Sequence, residues 1–327
     1  ELADLAADLA LPESARHGTF VAPAIIEIDA MSDVGGEVFG PVLHVLVYRR
    51  NDLDALLAAI WAAGYGLTMG IHTRVDKTVE RITSRSRAGN IYVNRNMVGA
   101  VVGVQPFGGA GLSGTGPKAG GPFYVARLVR DHRMRRLAPD APRRELPRPA
   151  IAFRNWLAAE GNAASAELVQ RYLDATAFAL SMDMPGPTGE RNTYSTHARG
   201  DILCLAATRD DLLAQLAAVL ATGNRALLPD GGNAARLRAA VPDAVRAAIL
   251  LARDWTRAEF QQVLFAGPQA DLRQLCIRIA ARPGPIIGIQ SSMQGRRDYA
   301  LEPLLVERSL SVNTAAAGGK ADLMARG

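Results

Sequence analysis

Apolar positions recur along the chain in two rhythms. Leu53, Leu56, Leu57, Ile60 and Trp61 fall three and four residues apart, which is one stripe of a helix that starts near Asp52 and closes at Gly64. Around it the apolar runs are short and continuous, and residues 42–48, 67–73 and 91–94 read as strands. A second helix between the last two has Asp76 as its cap, carries Val79 and Ile82, and ends at Gly89. Strand, helix, strand, helix, strand predicts a parallel sheet with helices on both faces. Upstream, residues 18–29 predict strands with a proline-marked turn, and residues 123–129 alternate as a further strand would.

The pattern then breaks and resumes. Residues 137–149 hold four prolines, too many for a helix or a central strand, and predict a linker over 137–150 between units at 1–136 and 151–327. The second unit predicts helices at 151–159 and from a Ser165 cap to 181, then turns at 184–190 and a hairpin arm over 188–199. That arm suits a lid or an oligomer contact, with a plain surface hairpin as the competing reading. Strands at 202–206, 226–228, 248–252, 263–266 and 285–289 alternate with helices at 211–221, 234–240, from Thr256 and at 269–281. Such alternation predicts a Rossmann-like, doubly wound α/β fold.

One stretch stands apart from both rhythms. Residues 90–121 begin as the strand at Ile91 and dissolve into a run so rich in glycine that its backbone must turn repeatedly and approach something closely. Gly109-Ala110-Gly111-Leu112-Ser113-Gly114 has the spacing of a dinucleotide-binding loop. That loop works at the start of a helix, and Pro117 and Pro122 prevent a long helix here. In a parallel sheet ligands gather at the carboxyl ends of strands, and this stretch directly follows one.

Composition narrows the class. With 327 residues, 49% hydrophobic and 21% charged, the chain is globular and about two domains long. No apolar run reaches the roughly 20 residues that span a bilayer, and the first residues have no basic region ahead of an apolar core, so a cytoplasmic location is expected. Cys204 and Cys276 make no disulfide framework, and each reads as a buried core residue. His17, His44, His72, His132 and His197 lie far apart, and no metal site is expected. The net charge of +5 is concentrated in eight arginines between Arg127 and Arg148, without an aromatic platform for nucleic acid, which reads as a solvated face or subunit contact.

The motifs resemble a known family. Glu37-Val38-Phe39-Gly40-Pro41, and Tyr92-Val93-Asn94 followed by Gln105-Pro106-Phe107-Gly108-Gly109, are similar to segments that complete the catalytic domain of aldehyde dehydrogenases, over roughly residues 1–135. Gly99-Ala100 with Phe107 resembles the aldehyde anchor of the subfamily acting on glutamate γ-semialdehyde. In the second half Gly186 to Glu190, Asn192-Thr193-Tyr194, Arg199-Gly200 and the ending from Glu307 to Gly319 are similar to the C-terminal domain of the proline utilization A family. Members of that family join a flavin-dependent proline dehydrogenase to a glutamate semialdehyde dehydrogenase.

The resemblance implies roles. Glu37 would accept hydrogen bonds from the nicotinamide ribose of NAD, and Phe39 would pack beside the nicotinamide. Backbone N–H groups of Gly99 and Ala100 would bind the substrate's α-carboxylate, with Phe107 as an apolar wall. The family's nucleophilic cysteine, general base and nucleotide-binding domain precede the Glu37 motif, so no catalytic residue is expected in this chain. FAD would belong to the proline dehydrogenase part of the parent, outside this chain. Partners would be the rest of the parent polypeptide and further copies of it, with substrate channelling between its two sites and peripheral membrane contact left open.

The second unit resembles a degenerate copy. Leu220 to Pro229 is similar to the segment that carries the family's ribose-binding lysine, with Pro229 near the lysine position, and Ser311-Val312-Asn313-Thr314 with Gly318-Gly319 echoes Tyr92 to Arg95 with Gly108-Gly109. Nucleotide binding by this unit is not expected. A competing reading makes the chain a non-catalytic lid or assembly module of the dehydrogenase.

Overall fold

The computed structural model describes residues 11–128, 145–292 and 298–315. In its first half β1 (Ala24–Glu27) and β2 (Val42–Val45) form a parallel pair, followed by α1 (Leu53–Ala62) with Leu53 and Leu57 buried. The chain leaves α1 through Gly64, whose φ of +85° suits glycine. Next come β3 (Tyr65–Gly66), β4 (Thr68–Ile71), α2 (Asp76–Arg85), β5 (Asn90–Val93) and β6 (Ala110–Gly111). Asp76 is the first residue of α2 and not its cap, and the helix stops at Arg85, well before Gly89. Phe123 does not open a strand. It is buried against Ala177 and Leu305, and a single 3-10 turn, Val125–Leu128, follows it.

The expected linker lies largely outside the described residues, and its end is already helical. In α3 (Arg148–Ala159) Pro149 occupies the first turn, where a missing N–H costs nothing. The cap of α4 (Ala163–Ala175) is Asn162, whose side chain accepts from the Ser165 N–H at 3.1 Å, so Ser165 donates and does not cap. Instead of helix to 181, β7 (Ser181–Met184) begins there and β8 (Glu190–Ala198) follows.

Beyond these, β9 (Asp201–Ala206), α5 (Arg209–Ala221), β10 (Arg225–Pro229), α6 (Gly232–Ala240), α7 (Asp243–Arg246), β11 (Ile249–Ala252), β12 (Gln262–Ala266), α8 (Gln269–Ala280) and β13 (Gly288–Ser292) build the second unit. Its five strands are parallel in the order β11-β10-β9-β12-β13, which is the expected doubly wound topology with a switch point between β9 and β12. No helix starts at Thr256, because Asp254 accepts from its N–H (3.0 Å) and its hydroxyl (2.5 Å) and holds a turn there.

The last strand, β14 (Leu305–Asn313), leaves this sheet for the other half. It runs parallel to β5, with Ser309 opposite Asn90 and Val312 opposite Val93, and antiparallel to β8 along its whole length. The resulting sheet, β4-β5-β14-β8-β7, is mixed and draws strands from both sides of residues 129–144. The hairpin expected over 188–199 is instead a single interior strand, β8, paired antiparallel with β7 on one side and β14 on the other, and not a free arm. Leu310 and Val312 of β14 pack on the small core of Leu53, Leu57, Ile71, Ile82, Ile91 and Val93. Among the described residues no helix is long and apolar enough to cross a membrane.

Candidate functional site

The glycine-rich stretch leaves β5 through Asn94, whose φ of +55° is one asparagine tolerates, and whose side chain bonds the Thr73 N–H and C=O at 2.9 Å each. This double bond fixes the point at which the loop departs. Further on, the Val101 carbonyl accepts from the N–H groups of Val104 (3.1 Å) and Gln105 (2.9 Å), and the Gln105 side-chain oxygen accepts from the Val101 N–H at 3.0 Å. The turn is therefore closed from both ends. Just ahead of it, the N–H groups of Gly99 and Ala100 have no partner among the described residues.

Phe107 pairs with Ala119 through two backbone hydrogen bonds (3.0 and 2.8 Å), and its side chain is half-buried. Residues Ala110–Gly111 then form β6, which pairs antiparallel with β3. At Gly111 φ is +66° and a Cβ would collide with the Gly64 carbonyl oxygen. What the glycines admit here is the chain's own β3 backbone, and no helix begins at them to hold a phosphate.

Gly99, Ala100 and Phe107 thus share one loop. Glu37 is exposed, and its N–H donates to the Tyr65 hydroxyl at 3.3 Å, while Tyr65 is the residue paired with Gly111. Phe39 is 91% exposed, an aromatic ring with nothing packed over it among the described residues. A cavity of about 820 Å³ lies elsewhere, between residues 114–118 and the second half, and none of these five residues lines it.

Both cysteines stand away from this loop. Cys204 is buried in β9, where burial pushes its thiol far above the usual range. Cys276 is exposed on α8, contrary to the core placement expected of it.

A buried polar cluster under the loop escaped the sequence reading. Lys118, 2% exposed, donates from Nζ to the Asn90 side-chain oxygen (2.8 Å) and the Gly108 carbonyl (2.6 Å). Its backbone N–H donates to Glu307 of β14 at 2.8 Å, and the Tyr194 hydroxyl of β8 donates to the other oxygen of that carboxylate at 2.7 Å. Ser309 adds a bond of 2.6 Å to the Pro106 carbonyl. Two strands from the second half therefore grip both the start and the end of the segment 105–121.

Burial lowers the Lys118 pKa to about 7, with the Glu307 charge opposing and the Arg308 charge adding to the shift. A pKa below the free value of 10.5 means that the unfolded chain binds the extra proton between pH 7 and 10.5. Stability should accordingly rise with pH from about 7 to about 9.5, by up to about 1.4 kcal/mol per pH unit, before tyrosine ionisation intervenes. Urea unfolding across this range checks the slope. Lys118→Met should flatten it.

Residues 1–131 match the aldehyde dehydrogenase family. That match takes in the first two fifths of the chain. Over nearly its whole length the chain is similar to proteins of the PutA type: "Bifunctional protein PutA" of Escherichia coli (strain K12) is 47% identical over 326 residues, covering 95% of this chain and 24% of that protein. A "Probable delta-1-pyrroline-5-carboxylate dehydrogenase" of Schizosaccharomyces pombe is 44% identical over 118 residues, 35% of this chain and 22% of that protein. The solved structure of proline utilization A from Corynebacterium freiburgense superposes with a TM-score of 0.55 at 24% identity, over 84% of this chain and 25% of that one, which supports the fold. The chain spans about a quarter of the length of its PutA relatives.

Proposed function

We propose that the chain is part of a proline-catabolic enzyme that oxidises L-glutamate γ-semialdehyde to L-glutamate with NAD. A flavin-dependent proline dehydrogenase in the same parent would supply the semialdehyde through pyrroline-5-carboxylate. The observation that carries this reading is the pair of successive N–H groups at Gly99 and Ala100, without partners among the described residues, in a loop closed behind them by Gln105. Two adjacent donors on small residues form a receptacle for one carboxylate. Phe107, in the same loop, would face the methylene chain.

The residues present fit one end of NAD. Glu37 offers an exposed carboxylate for ribose hydroxyls, and the uncovered Phe39 ring offers an apolar face for the nicotinamide. The cofactor supplies hydride acceptance, and this chain supplies orientation. The second unit does not serve as a further nucleotide site on this reading. Asp210 and Asp211 stand in the first turn of α5, after the switch-point strand β9, where a phosphate would meet their charge. Thr208 already caps that helix on Asp211.

The non-catalytic reading of the second half is compatible with this one, and the bonds that tie the loop segment to Ser309 and to Glu307, the latter held in turn by Tyr194, support a bracing role for it. NADH formation with glutamate semialdehyde tests the proposal. The complete polypeptide should form it, whereas this 327-residue chain alone should not, because Cys204 is buried and Cys276 lies on an outer helix face. Activity of the chain alone that survives Cys204→Ala with Cys276→Ala would overturn the division of labour.

A further inference from the structure

The turn behind Gly99 and Ala100 does not hold itself. Gln105, 3% exposed, uses its side-chain oxygen on the Val101 N–H, and its amide nitrogen donates to two residues of β8: Glu190 at 2.8 Å and Asn192 at 3.2 Å. Glu190 has its second oxygen 2.7 Å from Arg95, which stacks on the buried Tyr92 ring with 4.9 Å to the centroid. Arg95 and Glu190 are both largely shielded, with side chains 16% and 15% exposed. Asn192 is fixed in turn by Ser311 of β14 at 2.6 Å.

One carboxylate thus touches the loop at its departure, through Arg95, and at its closing turn, through Gln105. A buried amide can present its oxygen to Val101 only while its NH₂ has acceptors on the far side. Loss of Glu190 orphans one of the two N–H donors and leaves only the longer bond to Asn192, so the side chain is freed to turn toward other partners. The Val101 N–H immediately follows the two free donors, so their direction depends on this bond.

We propose that Glu190 is a positioning residue for the carboxylate anchor, acting through Gln105, a role that rests on the semialdehyde reading above. Glu190 is over eighty residues distant in sequence and meets the loop at Arg95 and Gln105, not at the Gly99 and Ala100 donors themselves. Its effect is to orient the Gly99 and Ala100 donors before substrate arrives, which is where preorganisation raises affinity.

The test uses the complete polypeptide and two readouts. In Glu190→Ala, amide exchange at Val101 should accelerate about tenfold, and KM for glutamate semialdehyde should rise about tenfold while kcat and KM for NAD change less than about twofold, the scale of one lost charge-assisted bond. Glu190→Gln, which keeps an acceptor for Gln105, should restore both readouts. Gln105→Met removes the brace from the loop side and should give the same selective rise, and the double variant should be no worse than either single one.

Unchanged exchange at Val101 in Glu190→Ala would overturn the brace, as would equal rises in both KM values or a Glu190→Gln as impaired as the alanine. Should Glu190→Ala not fold, Glu190→Gln and Gln105→Met decide the question by the same criteria. A wild-type polypeptide with no semialdehyde activity would instead sink the functional reading, and the exchange rates would then report on the brace by themselves.

Discussion

Replacing Gly99 by valine in the complete polypeptide is expected to lower kcat/KM for glutamate semialdehyde about 100-fold while leaving NAD affinity and thermal stability near wild type, since losing charge-assisted hydrogen bonds to a carboxylate costs about 1.5–3 kcal/mol each. The fold itself does not ask for glycine at this position. Nothing lies within 4 Å of where its Cβ would be, and its φ is not in the left-handed region. A branched side chain therefore fits the loop, yet crowds the space in front of the Gly99 and Ala100 donors. Gly99→Ala should show a smaller loss in the same direction. Steady-state kinetics with the semialdehyde, an NAD titration and a melting curve separate the effects. Equal loss of semialdehyde use and NAD binding would remove the anchor assignment.

Gly99 also marks how far the sequence could be read. Helix α1 was legible because Leu53 and Leu57 sit on one stripe and point into one local core. The five-stranded sheet of the second unit was legible because buried parallel strands such as Gln262–Ala266 leave continuous apolar runs between helices. Phe123 misled, since its alternating neighbours suggest a strand while its actual partners, Ala177 and Leu305, come from the other half. Local periodicity carries no information about such partners.

The same limit hid the cluster under the loop. Lys118 and Glu307 are 189 residues apart, and although Glu307 opens a motif, nothing in the sequence pairs it with Lys118. Glu37, Phe39, Gly99, Ala100 and Phe107 could be named because short motifs carry a likeness, and the structure leaves Glu37, Phe39 and Gly99 exposed and Ala100 and Phe107 half-buried. Ser311-Val312-Asn313 was visible as an echo of Tyr92-Val93-Asn94. In the sheet the echo lies directly beside the original, Ser311 opposite Tyr92 and Val312 opposite Val93, and the Asn313 amide donates to the Asn94 carbonyl at 3.2 Å. Its glycines, Gly318 and Gly319, lie outside the described residues.

A second glycine answers to the opposite physics. Gly89 leads into β5, and a Cβ there would fall far inside contact with the Gly108 carbonyl oxygen and 3.0 Å from Lys118 Nζ. Neither neighbour can give way cheaply. The Gly108 carbonyl is held by Lys118 at 2.6 Å and its N–H by Asn90 at 3.1 Å, while Gly89 is tied to Gly66 at 2.9 Å and to Ser309 of β14 at 2.8 Å. Gly89→Ala should therefore part β5 from the loop and cost about 3 kcal/mol, at the upper end of overpacking penalties, because the atom met is backbone and not the tip of a flexible side chain. Urea unfolding measures the loss directly. Unlike Gly99→Val, this variant should lower stability first, and its catalytic defect should follow the fraction folded. A Gly89→Ala protein as stable as wild type would show that the loop is not clamped against β5, and the bracing attributed to Lys118 and Glu307 would fall with it.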